Sequence, residues 1–366
     1  MKFLSPATYN HGTPARTAVL LVNLGTPAAA TASAVRRYLK EFLGDPRVVE
    51  VPRAIWWFIL NGVILPFRSA GSARRYASVW TPEGSPLMAH SQGQQRALMA
   101  ELQKRGLALD VVLAMSYGEP SIPVALERLR REGVNRLLVV PLYPQYSGTT
   151  SATTFDGVAR VLQRTRNLPE LRWVRGFADD AGYIEALRRS VRAHWDANGR
   201  PDKLLMSFHG LPRRNLDLGD PYHCECYKTG RLLAEALELR KDEYAISFQS
   251  RFGRARWLEP YTVDTLRALG RAGTGRVDVI CPGFVSDCLE TLKEMAMEAR
   301  SDFLTAGGRE FHLIPCLNTA PAFISALADL VERQTAGWPV HAQDQDALRL
   351  AAQNSAVQAR ALGAPR

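Results

Sequence analysis

The feature that most constrains this chain is a set of six apolar, strand-like runs, each reaching a glycine or proline turn near its end. They cover 18–27, 111–120, 136–147, 203–212, 244–253 and 276–287. Amphipathic helical patterns at 94–106, 122–134 and 183–195 lie between them. Apolar strands that alternate with such helices predict parallel sheets covered on both faces. We therefore expect an α/β protein with two doubly wound domains.

The two halves of the chain share a pattern that indicates internal duplication. Gly25-Thr26-Pro27 ends the first run, and Gly210-Leu211-Pro212 ends the fourth in the same manner. Ligands of doubly wound sheets bind beyond the carboxyl ends of the strands, so we expect all six run ends around one cleft between the halves. The sequence predicts a flexible N-terminus at 1–16, a first domain at 17–168 with an apolar lip at 54–67, a second domain at 169–333 and an accessory tail at 334–366.

Composition restricts the class of protein and the kind of partner. The formal net charge of +10 on 366 residues suits an anionic partner. Neither a nucleic-acid-binding signature nor a glycine-rich phosphate loop is present in the sequence, so we expect no nucleic acid and no nucleotide. Five cysteines, an odd number, indicate reduced thiols. No signal-peptide pattern occurs, and we expect a cytoplasmic location.

The stretch SFHGLP at 207–212 places His209 where a buried strand should end. A strand-end histidine is most often a hydrogen-bonded core residue. A neutral imidazole is also a ligand for a borderline divalent ion such as Fe2+ and a proton acceptor. Because this histidine is predicted to lie on the rim where ligands bind, we interpret it as a site residue.

A second informative stretch, CPGFVSDCLETLKEMAMEA at 281–299, predicts a helix that begins near Ser286 or Asp287. Its carboxylates fall at offsets of 0, 3, 7 and 11, which predicts one acidic helical face made by Asp287, Glu290, Glu294 and Glu298. A solvated acidic face is the ordinary interpretation of such a stripe. Its start at a predicted strand-to-helix turn on the His209 rim favours a metal or proton site.

Several motifs together resemble the ferrochelatase family of bacterial type, from about residue 17 to about residue 333. They are LLVNLGTP, PLYPQYS, SFHGLP, SFQSRFGRARWLEPYT and CPGFVSDCLETLKE. The resemblance implies two Rossmann-like, chelatase-type domains with parallel four-stranded sheets and a porphyrin cleft between them. It also implies insertion of Fe2+ into protoporphyrin IX with loss of two pyrrole protons, the last step of haem biosynthesis. Fe2+ is then a substrate, and no cofactor is required.

The resemblance also assigns roles to individual residues. The active-site histidine of the family falls on His209 and its essential glutamate on Glu290, as metal ligands and proton acceptors. Further acidic residues fall on Asp287 and Glu294. The substrate-binding residues that we expect are the aromatic Tyr117, Tyr143, Tyr146, Trp257 and Phe284, and, for the propionates, Arg68, Ser85 and Arg251. The chain departs from many members at Cys288, where they have histidine, and at Ser116, where some have arginine.

Two segments keep alternative interpretations open. Cys224 and Cys226 beside His223 raise the question of a zinc or [2Fe–2S] site, but the other cysteines are scattered singly, and we favour free thiols. The apolar run at 54–66 is too short to cross a bilayer, which takes about 20 residues. It is either a buried helix or a lip in peripheral contact with the inner membrane.

Two alternative functions remain beside iron insertion into protoporphyrin. One is a chelatase for another tetrapyrrole, coproporphyrin or sirohydrochlorin. The other is a non-enzymatic haem or metal carrier that uses His209 as an axial ligand. The sequence does not determine the oligomeric state, and we favour a monomer.

Overall fold

Two parallel four-stranded sheets with the same strand order organise the protein. The computed structural model describes residues 3–4, 10–251, 253 and 255–364. The first sheet has the order β2-β1-β3-β4, formed by β1 (Arg16–Gly25), β2 (Asp110–Tyr117), β3 (Val134–Pro141) and β4 (Glu170–Trp173). The second has the order β6-β5-β7-β8, formed by β5 (Lys203–His209), β6 (Tyr244–Gln249), β7 (Arg276–Ile280) and β8 (Glu310–Leu313). The predicted fold class and the duplication are therefore confirmed.

The six predicted runs contain the three strands at the centre and one edge of each sheet. The fourth strands, β4 and β8, have only four residues each and do not coincide with any of the six apolar runs. They are edge strands whose side chains are mostly half-exposed, so no continuous hydrophobic stretch marks them. Because β4 pairs with β3, the chain leaves the first sheet after Trp173, one strand later than the join expected near residue 168.

Helices cover both sheets. They are α1 (Ala32–Gly44), α2 (Arg53–Ile59), α3 (Leu65–Ala77), α4 (Pro86–Lys104), α5 (Ile122–Arg131), α6 (Ser151–Leu162), α7 (Ala181–Asn198), α8 (Arg213–Asp217), α9 (Tyr222–Ala236), α10 (Thr262–Arg271), α11 (Arg300–Thr305), α12 (Pro321–Gln334) and α13 (Asp344–Ala361). Two segments, Leu60–Ile64 and Glu290–Ala299, are wound as π-helix. The three predicted helical patterns fall on α4, α5 and α7. Among the described residues, no helix combines the length and apolar character needed to cross a membrane.

One hydrophobic core joins the two halves. It contains Val19 and Leu21 of β1 together with Leu204 and Met206 of β5, and α4, α7 and α12 contribute to it. The segment after α12 adds Trp338 and Val340 to this core, and the amide of Ala108 donates to the Val340 carbonyl at 2.7 Å. A continuous core of this kind holds the strand ends of the two sheets in a fixed relation to each other. Much of the predicted flexible N-terminus, residues 1–2 and 5–9, lies outside the described residues.

Candidate active site

The carboxyl ends of β1, β3, β5, β6 and β7 surround a cleft of about 1500 Å³. The end of β2 does not line it, so the expectation that all six run ends meet around the cleft holds for five of them. His209 lines it as the last residue of β5. The next residue is glycine because the chain passes very close to β6: a Cβ on Gly210 would lie 2.6 Å from the carbonyl oxygen of Gln249. The Gly210 amide donates to that same oxygen at 2.7 Å. The glycine therefore fixes the strand end that carries the histidine.

The tautomer of His209 follows from its hydrogen bond. Its Nδ1 lies 2.7 Å from the Gly210 carbonyl oxygen, and because a carbonyl can only accept, Nδ1 carries the proton and donates. In the neutral ring, Nε2 then keeps its lone pair. The ring is half-buried, and its centre lies 6.3 Å from that of Phe284. His209 thus presents one nitrogen that can bind a metal ion or accept a proton.

An acidic stripe faces the same cleft. Glu290, Glu294 and Glu298 all line it. The helix that carries them begins at Leu289 and is π-wound over Glu290–Ala299, whereas the sequence predicted an α-helix from 286 or 287. The Arg300 amide, for example, donates to the carbonyl of Met295, five residues back. Single-turn π-helical segments are frequent at functional sites, and this one is longer.

Asp287 does not belong to that stripe, so the prediction of four carboxylates on one helical face is wrong for this residue. Its side chain is buried ahead of the helix. The carboxylate accepts hydrogen bonds from Asn318 Nδ2 at 2.7 Å, from the Thr291 hydroxyl at 3.0 Å and from the Cys316 amide at 3.3 Å. The helix begins later than predicted, and Asp287 therefore fastens its first turn to the segment that precedes α12.

Glu294 is held firmly within the stripe. The Ser250 amide donates to its Oε1 at 2.7 Å and the Ser250 hydroxyl to its Oε2 at 2.6 Å. Burial raises the pKa of Glu294 above its ordinary value, and the charge of Glu290 raises it further. The bonds from Ser250 and the proximity of His209 offset part of this increase. Glu294 therefore holds a proton more readily than a solvated glutamate.

Aromatic side chains form walls of the cleft, but the set differs from the predicted one. Tyr143, Trp257 and Phe284 line it as expected. Tyr117 lies outside the lining: its ring packs at 5.2 Å from Phe42, and its hydroxyl donates to Asp45 Oδ2 at 3.1 Å. Tyr146 also lies outside the lining, beneath the guanidinium of Arg175. Tyr117 supports the wall from behind through its contact with Phe42, which lines the cleft.

Sequence reasoning missed a tyrosine pair, Tyr38 of α1 and Tyr76 of α3. Both line the cleft, and their ring centres are 6.4 Å apart in an edge-on arrangement. Burial raises the pKa of both hydroxyls well above the ordinary value, and the nearby charge of Glu290 adds to the effect. Both hydroxyls therefore stay protonated. No local sequence signal marks them, because single tyrosines on amphipathic helices are common in protein cores.

The cleft lining contains several arginines. Arg68, Arg251 and Ser85, the predicted propionate contacts, all belong to the lining. The Ser85 hydroxyl also caps α4, accepting from the Met88 amide at 3.2 Å. The guanidinium of Arg251 lies 4.7 Å above the Tyr261 ring. Further arginines of the lining are paired with carboxylates, among them Arg47 with Asp156, Arg75 with Glu298 and Arg214 with Glu50.

Cys288, the position where the chain departs from many family members, is buried beside Glu290. Burial raises the pKa of its thiol well above the ordinary value, and the nearby charge of Glu290 raises it further. The thiol is therefore neutral. The other departure, Ser116, has its hydroxyl 3.1 Å from that of Thr154. Cys224 is exposed, whereas Cys226 on the same helix is buried.

Comparison with solved structures identifies the class of fold. SirB from Bacillus subtilis with Fe3+ superposes with a TM-score of 0.52 at 14% identity, covering 88% of this chain and 96% of that one. The sirohydrochlorin chelatase SirB from Bacillus subtilis subspecies spizizenii, in complex with cobalt, gives 0.50 at 11% identity, covering 88% and 97%. Two Rossmann-like halves with a shared cleft therefore make this a chelatase-type fold.

Sequence comparison then identifies the particular family. The family model described as ferrochelatase matches residues 16–335. The chain is 59% identical over 339 residues to a ferrochelatase of Janthinobacterium sp. (strain Marseille), covering 93% of this chain and 92% of that one. It is 56% identical over 371 residues to a ferrochelatase of Polaromonas sp. (strain JS666), covering both chains completely. The chain belongs to the ferrochelatase family.

Proposed function

We propose that this cleft inserts ferrous iron into protoporphyrin IX, with His209 and Glu290 as the groups that receive the metal and the pyrrole protons. The product is protohaem, and Fe2+ enters as a substrate. The observation that carries the assignment of residues is that three glutamates line the same cleft as a histidine whose Nδ1 donates to a carbonyl, so that its Nε2 keeps the lone pair. Loss of two pyrrole protons requires acceptors on a path to solvent, and the stripe supplies them.

The order of the glutamates along the stripe suggests the path by which the protons leave. His209 Nε2 accepts the first proton from a pyrrole nitrogen, and Glu290 accepts the second. Glu294, whose pKa burial raises, passes protons along the stripe, and the exposed Glu298 releases them to water. The Ser250 bonds keep Glu294 in place during this transfer. A haem or metal carrier has no use for three carboxylates in its pocket, which favours the enzyme.

The walls of the cleft favour protoporphyrin over more acidic tetrapyrroles. One part of the lining is apolar and suits the vinyl and methyl edge of the ring; it includes Leu39, Phe42, Val49, Val51, Trp56 and Ile64. Arg68, Arg251 and Ser85 suit the propionate edge. Coproporphyrin and sirohydrochlorin carry carboxylates all round the ring, so some of them would meet the apolar wall without partners, which is costly.

Substrate preference is tested by incubating the purified protein anaerobically with Fe2+ and each tetrapyrrole in turn. We expect rapid conversion of protoporphyrin IX and slow conversion of coproporphyrin and sirohydrochlorin. Each reaction is monitored through the absorption spectrum of the tetrapyrrole. Heat-treated protein provides the control for spontaneous metallation. Faster conversion of coproporphyrin or sirohydrochlorin would contradict the assignment.

The apolar lip supports a peripheral contact with a membrane. Trp57, Phe58 and Phe67 are 59%, 69% and 79% exposed, an unusual exposure for aromatic side chains. They lie on the helical stretch α2 to α3 beside the cleft mouth, and Arg53 and Arg68 flank them. Trp56 differs from them: it lines the cleft, and its indole N–H donates to the Leu43 carbonyl at 2.6 Å. Contact of the lip with lipid would place the cleft mouth beside a poorly soluble substrate.

The variant Trp57→Ser/Phe58→Ser should bind anionic vesicles at least roughly 100-fold more weakly than the wild type, because each buried aromatic contributes about 1.5–3 kcal/mol and the variant loses two. Wild-type binding should also weaken at high salt and strengthen with anionic lipid. Vesicle co-sedimentation measures both effects, and activity on detergent-solubilised porphyrin should survive. Leu350→Ser/Val357→Ser, which changes exposed apolar residues of α13, is the matched control. Equal vesicle binding by the two double variants would refute the proposed membrane contact of the lip.

A further inference from the structure

A cluster of three metal-ligating side chains lies outside the cleft. His194 comes from the last turns of α7, Asp278 from β7 and His312 from β8. Asp278 and His312 are register partners on neighbouring strands, so their side chains share one face of the second sheet. None of the three lines the cleft. The catalytic proposal therefore leaves this cluster without a role.

The distances within the cluster match the edges of a metal coordination shell. His194 Nε2 lies 3.3 Å from His312 Nδ1 and 3.5 Å from Asp278 Oδ2. Zn2+ binds such atoms at about 2.0–2.1 Å, so two ligand atoms of a tetrahedral site lie roughly 3.3 Å apart. We infer that His194, Asp278 and His312 form a second binding site, for a divalent transition-metal ion such as Zn2+ or Fe2+. Two imidazoles and one carboxylate are a usual ligand set for these ions.

Surrounding groups orient the ligands as such a site requires. The Glu310 carboxylate lies 2.7 Å from His312 Nε2, so the proton sits on that nitrogen and Nδ1 keeps its lone pair towards the cluster. Arg276 donates to both oxygens of Asp278, at 2.8 and 3.1 Å, and the Trp195 indole N–H donates to Oδ2 at 3.1 Å. These bonds fix the carboxylate while leaving it lone pairs. Both features are typical of outer-shell support at metal sites.

Charge and access also favour a cation. Asp278 and Glu310 carry two negative charges, Arg276 carries one positive charge, and neutral imidazoles add none, so one negative charge remains. The Asp278 side chain is fully buried, whereas those of His194 and His312 are 15% and 26% exposed. The site is therefore recessed but reachable from solvent, and solvent water would supply the fourth ligand. An ion there would tie α7 to the edge of the second sheet.

The test uses Co2+, whose visible d–d bands report a low-coordinate site with nitrogen ligands. It is carried out on metal-stripped His209→Ala protein so that the proposed cleft site does not contribute. We expect one equivalent of tightly bound Co2+, displaced by Zn2+, and its loss on adding His312→Ala or His194→Ala. Glu310→Gln should weaken binding about 10–100-fold, as outer-shell changes do. His341→Ala, an exposed histidine elsewhere, is the matched control and should bind Co2+ normally.

Unchanged Co2+ binding in both histidine variants would overturn the inference. It would mean that the three side chains form only a hydrogen-bonded cluster. A measurement on the wild type guards against variants that do not fold: a crystal soaked in Co2+ should show an anomalous peak between the three side chains. Absence of that peak at full soaking would equally overturn the site. Neither outcome depends on whether the cleft inserts iron.

Discussion

Replacing His209 by alanine should lower the rate of iron insertion about 10²–10⁴-fold, the usual loss when a positioned proton acceptor is removed. The imidazole is the cleft group whose tautomer leaves a nitrogen lone pair available, because Nδ1 is committed to the Gly210 carbonyl. Porphyrin binding should survive, since the aromatic walls and the arginines of the lining are untouched. Turnover is measured under anaerobic conditions, and binding is measured by quenching of porphyrin fluorescence.

A matched control separates the loss of this imidazole from the loss of any imidazole. His223 of α9 stacks on Phe248 at 5.5 Å and lies outside the cleft lining, so His223→Ala should retain nearly full turnover. Added imidazole should restore part of the activity of His209→Ala by accepting the proton instead. Near-normal turnover of a folded His209→Ala protein would refute the role assigned to this residue. Loss of the fold would instead favour a structural histidine.

Changing Glu290 to glutamine should also lower turnover by orders of magnitude, because it keeps the shape and removes both the charge and the proton acceptor. Glu290 lies near enough to the tyrosine pair and to the Cys288 thiol for its charge to raise the pKa of all three groups. The same change at Glu294 should cost less, since that residue lies one helical step further along the stripe. Equal and mild effects at both positions would mean that the stripe is a solvated surface.

Thermal stability provides a second test of the Glu294→Gln variant, apart from its turnover. Because the folded pKa of Glu294 is raised above that of the unfolded chain, its stabilising contribution is complete below about pH 4.3 and is lost as the pH rises through the folded value. At neutral pH the wild type therefore carries the cost of a buried carboxylate. Glu294→Gln should have a higher Tm than the wild type at neutral pH, and the difference should shrink towards pH 4.

Local patterns predicted much of this fold and some of its site. The six apolar runs became the strands, because a buried parallel strand needs a continuous apolar stretch. Strand-end position selected His209 for the cleft, and helical spacing selected the acidic stripe, within which the family resemblance assigned roles to Glu290 and Glu294. The short strands β4 and β8 were not found, because edge strands of only four residues, most of them half-exposed, carry no such stretch. The late, π-wound start of the acidic helix was also missed, and with it the position of Asp287.

The sequence by itself determined the duplicated α/β plan, the rim on which ligands bind and the chemistry of the histidine–glutamate set. These properties depend on residues within one element or at its end, where periodicity and turn residues act directly. Only the tertiary structure decided which side chains meet across the fold. It brought Tyr38 and Tyr76 to Glu290, moved Tyr117 behind the wall, and assembled His194, Asp278 and His312 into one cluster. Such contacts join residues far apart in the chain, and the packing of the shared core sets them.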